Sequence, residues 1–260
     1  MKTKIKALFI DFDGTLFSHA QHAFPDSAIK AIDAARANGI LVFLCTGRAK
    51  PELKQFDMTP LNIDGMVLCN GQVVLANDGR IIFDNPIKGS LKKRMVDVFV
   101  NRKLPIYFAN NEELILNFEN EKIRRVQDAI SSHIPPIKEY HGEDFYMASA
   151  FYENDVELAL LNSFKDEAEV TSWHDGAVDI VPKGACKSYG ITKTLEILNI
   201  PIEETIGFGD GDNDIDMLKA CGIGVAMDNA PDFVKEAADH VTDHIDEDGL
   251  YKAFKHFELI

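Results

Sequence analysis

A set of short, continuous apolar runs constrains this chain more than any other feature. They are Ala7-Leu8-Phe9-Ile10, Ile40-Leu41-Val42-Phe43-Leu44-Cys45, Met66-Val67-Leu68-Cys69, Thr205-Ile206-Gly207-Phe208 and Gly224-Val225-Ala226. Runs of this length without polar alternation predict strands buried on both faces, as in a parallel sheet covered by helices. Helical periodicity separates them. From Asp26, Ala28, Ala31, Ile32 and Ala35 fall on one face, and Gly39 is placed to end the helix. Strand, helix and strand make a βαβ unit. Later faces are Ile191, Leu195 and Leu198 (closed by Pro201), Ile215 with Leu218, Val234 with Ala237 and Ala238, and Leu250 with Phe254 and Phe257. The expected fold is α/β, a Rossmann-like doubly wound parallel-sheet core.

The middle of the chain breaks that rhythm. Asn70-Gly71 is a turn signal, with Gln72 to Ala76 as a hairpin return. Asn77-Asp78-Gly79 turns the chain again into Arg80 to Phe83. Leu91, Met95, Val98 and Phe99 form a helix face, and Ile106 to Ala109 and Leu114 to Phe118 alternate as strands. Ile123, Val126 and Ile130 suggest a further helix before Pro135-Pro136. Phe145 to Phe151 reads as a strand, Val156 to Phe164 as a helix, and Val170 to Trp173 with Ala177 to Val181 as a strand pair. This is an α+β insert. The expected division is a catalytic core of 1–83 and 185–260, and an inserted cap of 84–184.

With 260 residues, 46% hydrophobic and 27% charged, the chain can bury a real core. Its formal net charge is -15, and no basic block stands out, so nucleic acid is not an expected partner. No stretch approaches membrane-spanning length, and a membrane partner is not expected either. Cys45, Cys69, Cys186 and Cys221 form no CxxC pair or zinc spacing. With no secretory pattern at the start, a reducing cytoplasm is the expected compartment. A monomer or weak homo-oligomer is expected.

In an open α/β sheet, ligands sit outside the carboxyl ends of the strands. Three polar clusters fall there: Asp11 with Asp13, Thr46 with Gly47, and Asp210 with Asn213 and Asp214. Asp11 and Asp13 flank one residue, so extended backbone points them to one side. One carboxylate can attack phosphorus while the other handles protons. Two acids in a Gly-containing turn can equally be solvated loop acids or helix caps. Ending a buried strand on two carboxylates weighs against that alternative. A Thr hydroxyl and an unobstructed Gly47 N–H suit a phosphoryl oxygen, although taken alone this pair reads better as an ordinary strand–loop transition with Thr46 as an N-cap. Asp11, Asp210 and an oxygen near Asp13 would suit Mg²⁺, a hard cation with octahedral oxygen ligands. Lys183 and Lys187 are both placed to supply positive charge, and spacing does not choose between them.

Jointly, these clusters resemble the haloacid dehalogenase superfamily of phosphotransferases, in its Cof-type (subclass IIB) branch with a large cap after the third strand. Asp11-Phe12-Asp13-Gly14-Thr15-Leu16 looks like the first family motif, and Leu44-Cys45-Thr46-Gly47-Arg48 like the second. Pro182-Lys183-Gly184-Ala185-Cys186-Lys187 resembles the segment carrying the third, and Phe208 to Asp214 with Ile215 to Leu218 the fourth. The resemblance implies Asp11 as nucleophile and metal ligand, and Asp13 as acid/base and backbone metal ligand. It implies Thr46, Gly47 and Asn213 as phosphate contacts. Lys187 becomes the catalytic lysine on the phosphate, Asp210 a direct metal ligand, and Asp214 a support for the metal's outer shell. The implied activity is Mg²⁺-dependent hydrolysis of a small phosphorylated metabolite, with sugar phosphates favoured, through an aspartyl phosphate. A phosphomutase and a non-enzymatic phospho-ligand sensor are the competing expectations. Asp13 argues against a pure binder, and dehalogenation needs neither Mg²⁺ nor an acid pair. Trp173, His174, Tyr146 and Glu113 of the insert read more simply as cap core or surface than as substrate contacts.

Overall fold

The apolar runs become strands, and their order in space decides where the polar clusters fall. The computed structural model describes residues 4–129 and 132–260; Ile130, expected on a helix face, lies outside them. In chain order come β1 (Ala7–Ile10), α1 (Asp26–Ala37), β2 (Leu41–Cys45), α2 (Lys50–Leu53), β3 (Gly65–Leu68), β4 (Val73–Ala76) and β5 (Ile81–Asp84). Next are α3 (Gly89–Val100), β6 (Ile106–Ala109), β7 (Leu114–Leu116), α4 (Glu121–Ala129), β8 (Met147–Phe151), α5 (Asp155–Asn162), β9 (Ala168–His174) and β10 (Ala177–Pro182). The chain ends with α6 (Lys187–Leu198), β11 (Thr205–Gly209), α7 (Ile215–Ala220), β12 (Ile223–Ala226), α8 (Asp232–Lys235), β13 (His240–Val241) and α9 (Gly249–His256).

Eight strands form one sheet in the order β13-β12-β11-β1-β2-β3-β4-β5. It is parallel from β13 to β3. β4 and β5 run antiparallel at one edge. The reversal follows from Cys69, Asn70 and Gly71, all at positive φ (52°, 50° and 87°). So short a turn can return only an antiparallel strand. β1 lies between β2 and β11, with Ile10 opposite Leu44 on one side and Phe208 on the other. The three strands therefore finish at one level, and the order reverses around β1, which makes its carboxyl end a topological switch point.

On one face of this sheet Ala7, Phe9, Phe43, Cys45 and Val67 pack against Ile191 and Leu195 of α6 and Met217 of α7. On the other, Phe208 meets Phe254 of α9 at 5.3 Å between ring centroids, and α1 lies against α9. Each buried Phe, Val, Ile, Leu or Met among them stabilises the fold by about 1.5–3 kcal/mol.

The chain separates into two compact units. The first runs to Gly47, then takes Phe56–Asp84 and Cys186–Ile260; the second is Arg48–Gln55 with Asn85–Ala185. The second unit holds a five-stranded antiparallel sheet, β7-β6-β8-β10-β9. One face packs under α3 and α5 through Ile106, Phe108, Ala148, Ala150, Val178 and Ile180. The opposite face joins Tyr107, Leu116, Phe151 and Ala177 to Ile123 and Val126 of α4. Sequence patterning gives no hint that Arg48–Gln55 belongs with this unit. It does so through side chains: Tyr107 donates to Glu52 Oε1 at 3.3 Å, and Lys54 Nζ to the Glu112 carbonyl at 3.0 Å.

Several elements are shorter than their periodicity predicts, and two of them show why. The helix expected through Ala238 ends at Lys235, because the chain leaves it to pair with β12: Asp239 N–H donates to Gly224 O at 2.8 Å, and its carboxylate accepts from Gly224 N at 2.8 Å. The strand expected to Phe118 stops at Leu116, since the buried Asn117 side chain takes the Ile106 N–H that the next rung would use, accepting from it at 3.0 Å and donating to Leu104 O at 2.9 Å. Among the described residues, no helix is long and apolar enough to cross a membrane.

Candidate active site

Asp11 extends β1 by one residue, and its N–H donates to Phe208 O at 2.9 Å. Its side chain is buried. Lys187 opens α6 and is fully buried as well. Its Nζ donates to Asp11 Oδ1 and to Asp214 Oδ1, each at 2.5 Å. Asp214 is tied further, its Oδ2 accepting from the backbone N–H of Asp210 at 3.0 Å and of Gly211 at 2.8 Å. The turn after β11 thus folds around its own carboxylate. Lys183, the alternative, is exposed in the second unit, its N–H paired with Glu167 O at 3.1 Å.

Asp210 is oriented from two sides. Thr15 Oγ1 donates to Oδ1 at 2.7 Å. Asn229 Nδ2 donates to Oδ2 at 3.0 Å and also to Gly14 O at 2.8 Å. Gly14 has φ +83°, and a Cβ there would overlap the Asp210 carboxylate, so conformation and space both require glycine. Asp13 is partly exposed, and its Oδ1 lies 2.8 Å from His19 Nε2.

The charges do not balance locally. Burial pushes the Asp11 carboxyl well above its usual range; Asp214, Asp210 and Asp13 push it further, and Lys187 offsets only part. Burial also lifts Asp210, to about 6. Burial alone would lower the Lys187 ammonium, but Asp11 and Asp214 outweigh it and hold the group above the usual lysine range. Burial with an excess of negative charge over one cation raises the proton affinity of Asp11 and Asp210, and the excess charge raises that of Lys187. A divalent cation would relieve this excess. Asp11, Asp210 and Asp214 each offer a carboxylate oxygen, all within 4.8 Å of one another. An all-oxygen set fits a hard ion. Each of the three also accepts from the protein: Asp214 from Lys187 and two amides, Asp210 from Thr15 and Asn229, and Asp11 from Lys187.

The second cluster converges on the same edge of the sheet. Thr46 is buried after β2, its N–H bonded to Val67 O at 2.9 Å and its carbonyl accepting from Asn70 N at 3.2 Å. Asn213 Nδ2 donates to Asn70 Oδ1 at 3.3 Å, and a Cβ on Gly47 would stand 3.1 Å from Asn70 Oδ1 and 3.5 Å from Asn213 Nδ2. Gly47, Asn70 and Asn213 therefore rim one place. Sequence reasoning missed Asn70, Thr15, Asn229 and His19 as parts of this neighbourhood. Asn70 carried a signal, a polar residue directly after a buried strand, but it reads first as turn chemistry.

A buried lysine bridging two aspartates, a third aspartate beside them and a polar rim at a switch point are the surroundings of a phosphatase. The chain belongs to the haloacid dehalogenase-like hydrolases, whose family model matches residues 8–254. YkrA of Bacillus subtilis, a candidate phosphatase, is 30% identical over 258 residues, covering 98% of each chain. The 5-amino-6-(5-phospho-D-ribitylamino)uracil phosphatase YcsE of the same organism is 27% identical, over 98% of this chain and 96% of its own. A solved HAD subclass IIB sugar phosphatase is 34% identical, with a TM-score of 0.80, over 98% of this chain and 100% of that one. The protein is a hydrolase of the phosphatase type within this family.

Proposed function

We propose that the chain is a Mg²⁺-dependent phosphatase of small phosphate monoesters, sugar phosphates foremost, acting through a phosphorylated Asp11. The observation that carries this reading is the Lys187 ammonium held between Asp11 and Asp214, with the Asp210 carboxylate beside them. Asp11 and Asp210, with the Asp13 backbone carbonyl, would hold the metal, and Asp214 would support it from outside. When bound, Mg²⁺ supplies positive charge that shields the nucleophile from the phosphate and orients the ester.

The chain's own residues divide the rest of the work. An Asp11 carboxylate oxygen attacks phosphorus, and the bond from phosphorus to the leaving oxygen breaks as Asp13 gives that oxygen a proton. Asp13, now a carboxylate, takes a proton from water as the water attacks the phosphoryl group. Inorganic phosphate leaves, and Asp11 returns to a carboxylate. Lys187, Thr46 Oγ1, the Gly47 N–H and the Asn213 amide donate to the phosphoryl oxygens, where charge stabilisation carries most of the catalysis. Residues 84–184, as a cap on a core of 1–83 and 185–260, would read the leaving group. Sugar phosphates are favoured by similarity to the subclass IIB sugar phosphatase; the uracil-derivative phosphatase among the relatives makes the leaving group the open variable. The free cysteines agree with a cytoplasmic setting.

The test is release of phosphate from p-nitrophenyl phosphate with and without Mg²⁺. Wild type is expected to turn over only with the metal, and Asp11→Asn to lose turnover altogether. Full activity in that variant would sink the mechanism. Specificity constants across a panel of phosphorylated metabolites identify the leaving group.

A further inference from the structure

His19 has no part in the chemistry above, yet its Nε2 lies 2.8 Å from Asp13 Oδ1. An exposed His–Asp pair is often an incidental surface contact. Here the imidazole is held by more than the carboxylate. Its ring packs edge-on to Phe17 at 5.4 Å between centroids, and Phe17 stacks on Phe12, the residue between Asp11 and Asp13, at 5.4 Å. Phe24 and Phe56 close on the same pair of rings. The backbone carrying His19 is fixed too. Gly14 N–H donates to Phe17 O at 3.0 Å, and Ser18 and Ala23 exchange backbone bonds at 3.0 and 3.3 Å, closing a small hairpin. Ser18 Oγ donates to Asp246 Oδ1 at 2.6 Å, pinning that hairpin to the far end of the chain.

We propose that His19 is a positioning residue for the general acid. With Asp13 as a carboxylate, the Nε2–H donates to Oδ1. That fixes the rotation of the carboxyl group, and so the direction from which it gives a proton to the leaving group. The aromatic cluster and the pinned hairpin set this orientation before an ester arrives, so it costs no reorganisation during the reaction. This inference rests on the phosphatase reading and extends it to a residue outside the three clusters and Lys187.

The effect belongs to leaving-group protonation alone, which makes it separable. A general acid typically contributes 10²–10⁴-fold, and misplacing a reacting group by an ångström can cost about 10²-fold. An alkyl phosphate needs the proton; an activated aryl ester, 2,4-dinitrophenyl phosphate, expels a stable phenolate without it. The experiment measures kcat/KM for both esters in wild type, His19→Ala and His19→Gln, with Mg²⁺ present and folding checked by thermal melting. In His19→Ala the alkyl-to-dinitrophenyl ratio of kcat/KM should fall by about 10- to 100-fold. His19→Gln, which keeps an N–H donor, should recover part of it. An unchanged ratio in His19→Ala overturns the inference, whatever happens to the absolute rates, and leaves the phosphatase reading standing. A wild type that releases phosphate from neither ester overturns that reading and this inference with it.

Discussion

Lys187 is stabilised by the two carboxylates it bridges, and they in turn need it. Both of its partners are buried, and removing one member of a buried ion pair typically costs about 3–5 kcal/mol because it strands the opposite charge. Lys187→Met should lower the unfolding free energy from urea titration by a matching amount in chelator, and cut phosphate release by about 10²–10³-fold, the scale of one lost donor to the reacting oxygens. Asp11 tells the reverse story. Its folded proton affinity is raised, so the stability it contributes is present below the ordinary aspartate range and lost as pH climbs through the raised value. At pH 8 without metal its ionised form costs stability. Asp11→Asn, though inactive, should therefore melt above wild type at pH 8 in chelator, and the gap should close near pH 4. A scan of melting temperature against pH checks this.

At the scale of elements, the five-stranded sheet of the second unit carries its own charge problem. Asp179 of β10 stands opposite Ser149 of β8 and accepts from its hydroxyl. It also accepts from Trp173 Nε1 of β9 at 2.9 Å. Burial pushes this carboxyl up to about 7, against the help of those donors. Since the shift is upward, the associated stability is full below the usual aspartate value and disappears as pH rises through about 7. Trp173 is the chain's single tryptophan, so its fluorescence reports on this row directly. Between pH 5 and 8 the unfolding midpoint read from Trp173 should fall in wild type and stay nearly flat in Asp179→Asn, whose amide oxygen can still accept both bonds. The ends of two elements raise a different point. α8 and β7 end early because Asp239 and Asn117 offer the backbone better hydrogen bonds than another turn or rung would. Periodicity reports apolar faces and is silent about such local competition.

At the scale of the molecule, a formal charge of -15 has to coexist with an anionic ester. The fold answers by concentrating the conflict at one switch point, where Lys187 supplies one positive charge and the acidic oxygens around it suit a cation. Mg²⁺ should therefore act as a stabiliser of the whole chain. A ligand at 100 times its dissociation constant adds about 2.7 kcal/mol. Differential scanning fluorimetry should show a Mg²⁺-dependent rise in melting temperature in wild type that Asp210→Ala largely abolishes. An equal rise in both would place the bound ion elsewhere.

The strands around β1, the insert and the three polar clusters were legible from residues alone, because burial on both faces forces continuous apolar runs and a parallel sheet delivers their carboxyl ends to one edge. Asp11, Thr46 and Asp210 could be placed at that edge without coordinates. The choice of Lys187 over Lys183 was not available from spacing. It depends on α6 starting at Lys187 and burying its ammonium against Asp11, 176 positions away. Nor could sequence attach Arg48–Gln55 to the second unit, or bring Thr15, Asn229 and Asp210 together, since these are side-chain meetings between distant segments. His19 lies only six positions from Asp13, yet no periodicity marks it, because its orientation comes from a hairpin pinned by Asp246 and a ring packed on Phe17. Hydrophobic pattern determined where the strands run and therefore where the acids emerge. Which polar atoms touch was decided by tertiary packing, because hydrogen-bond geometry is set by through-space distance and leaves no period in the chain.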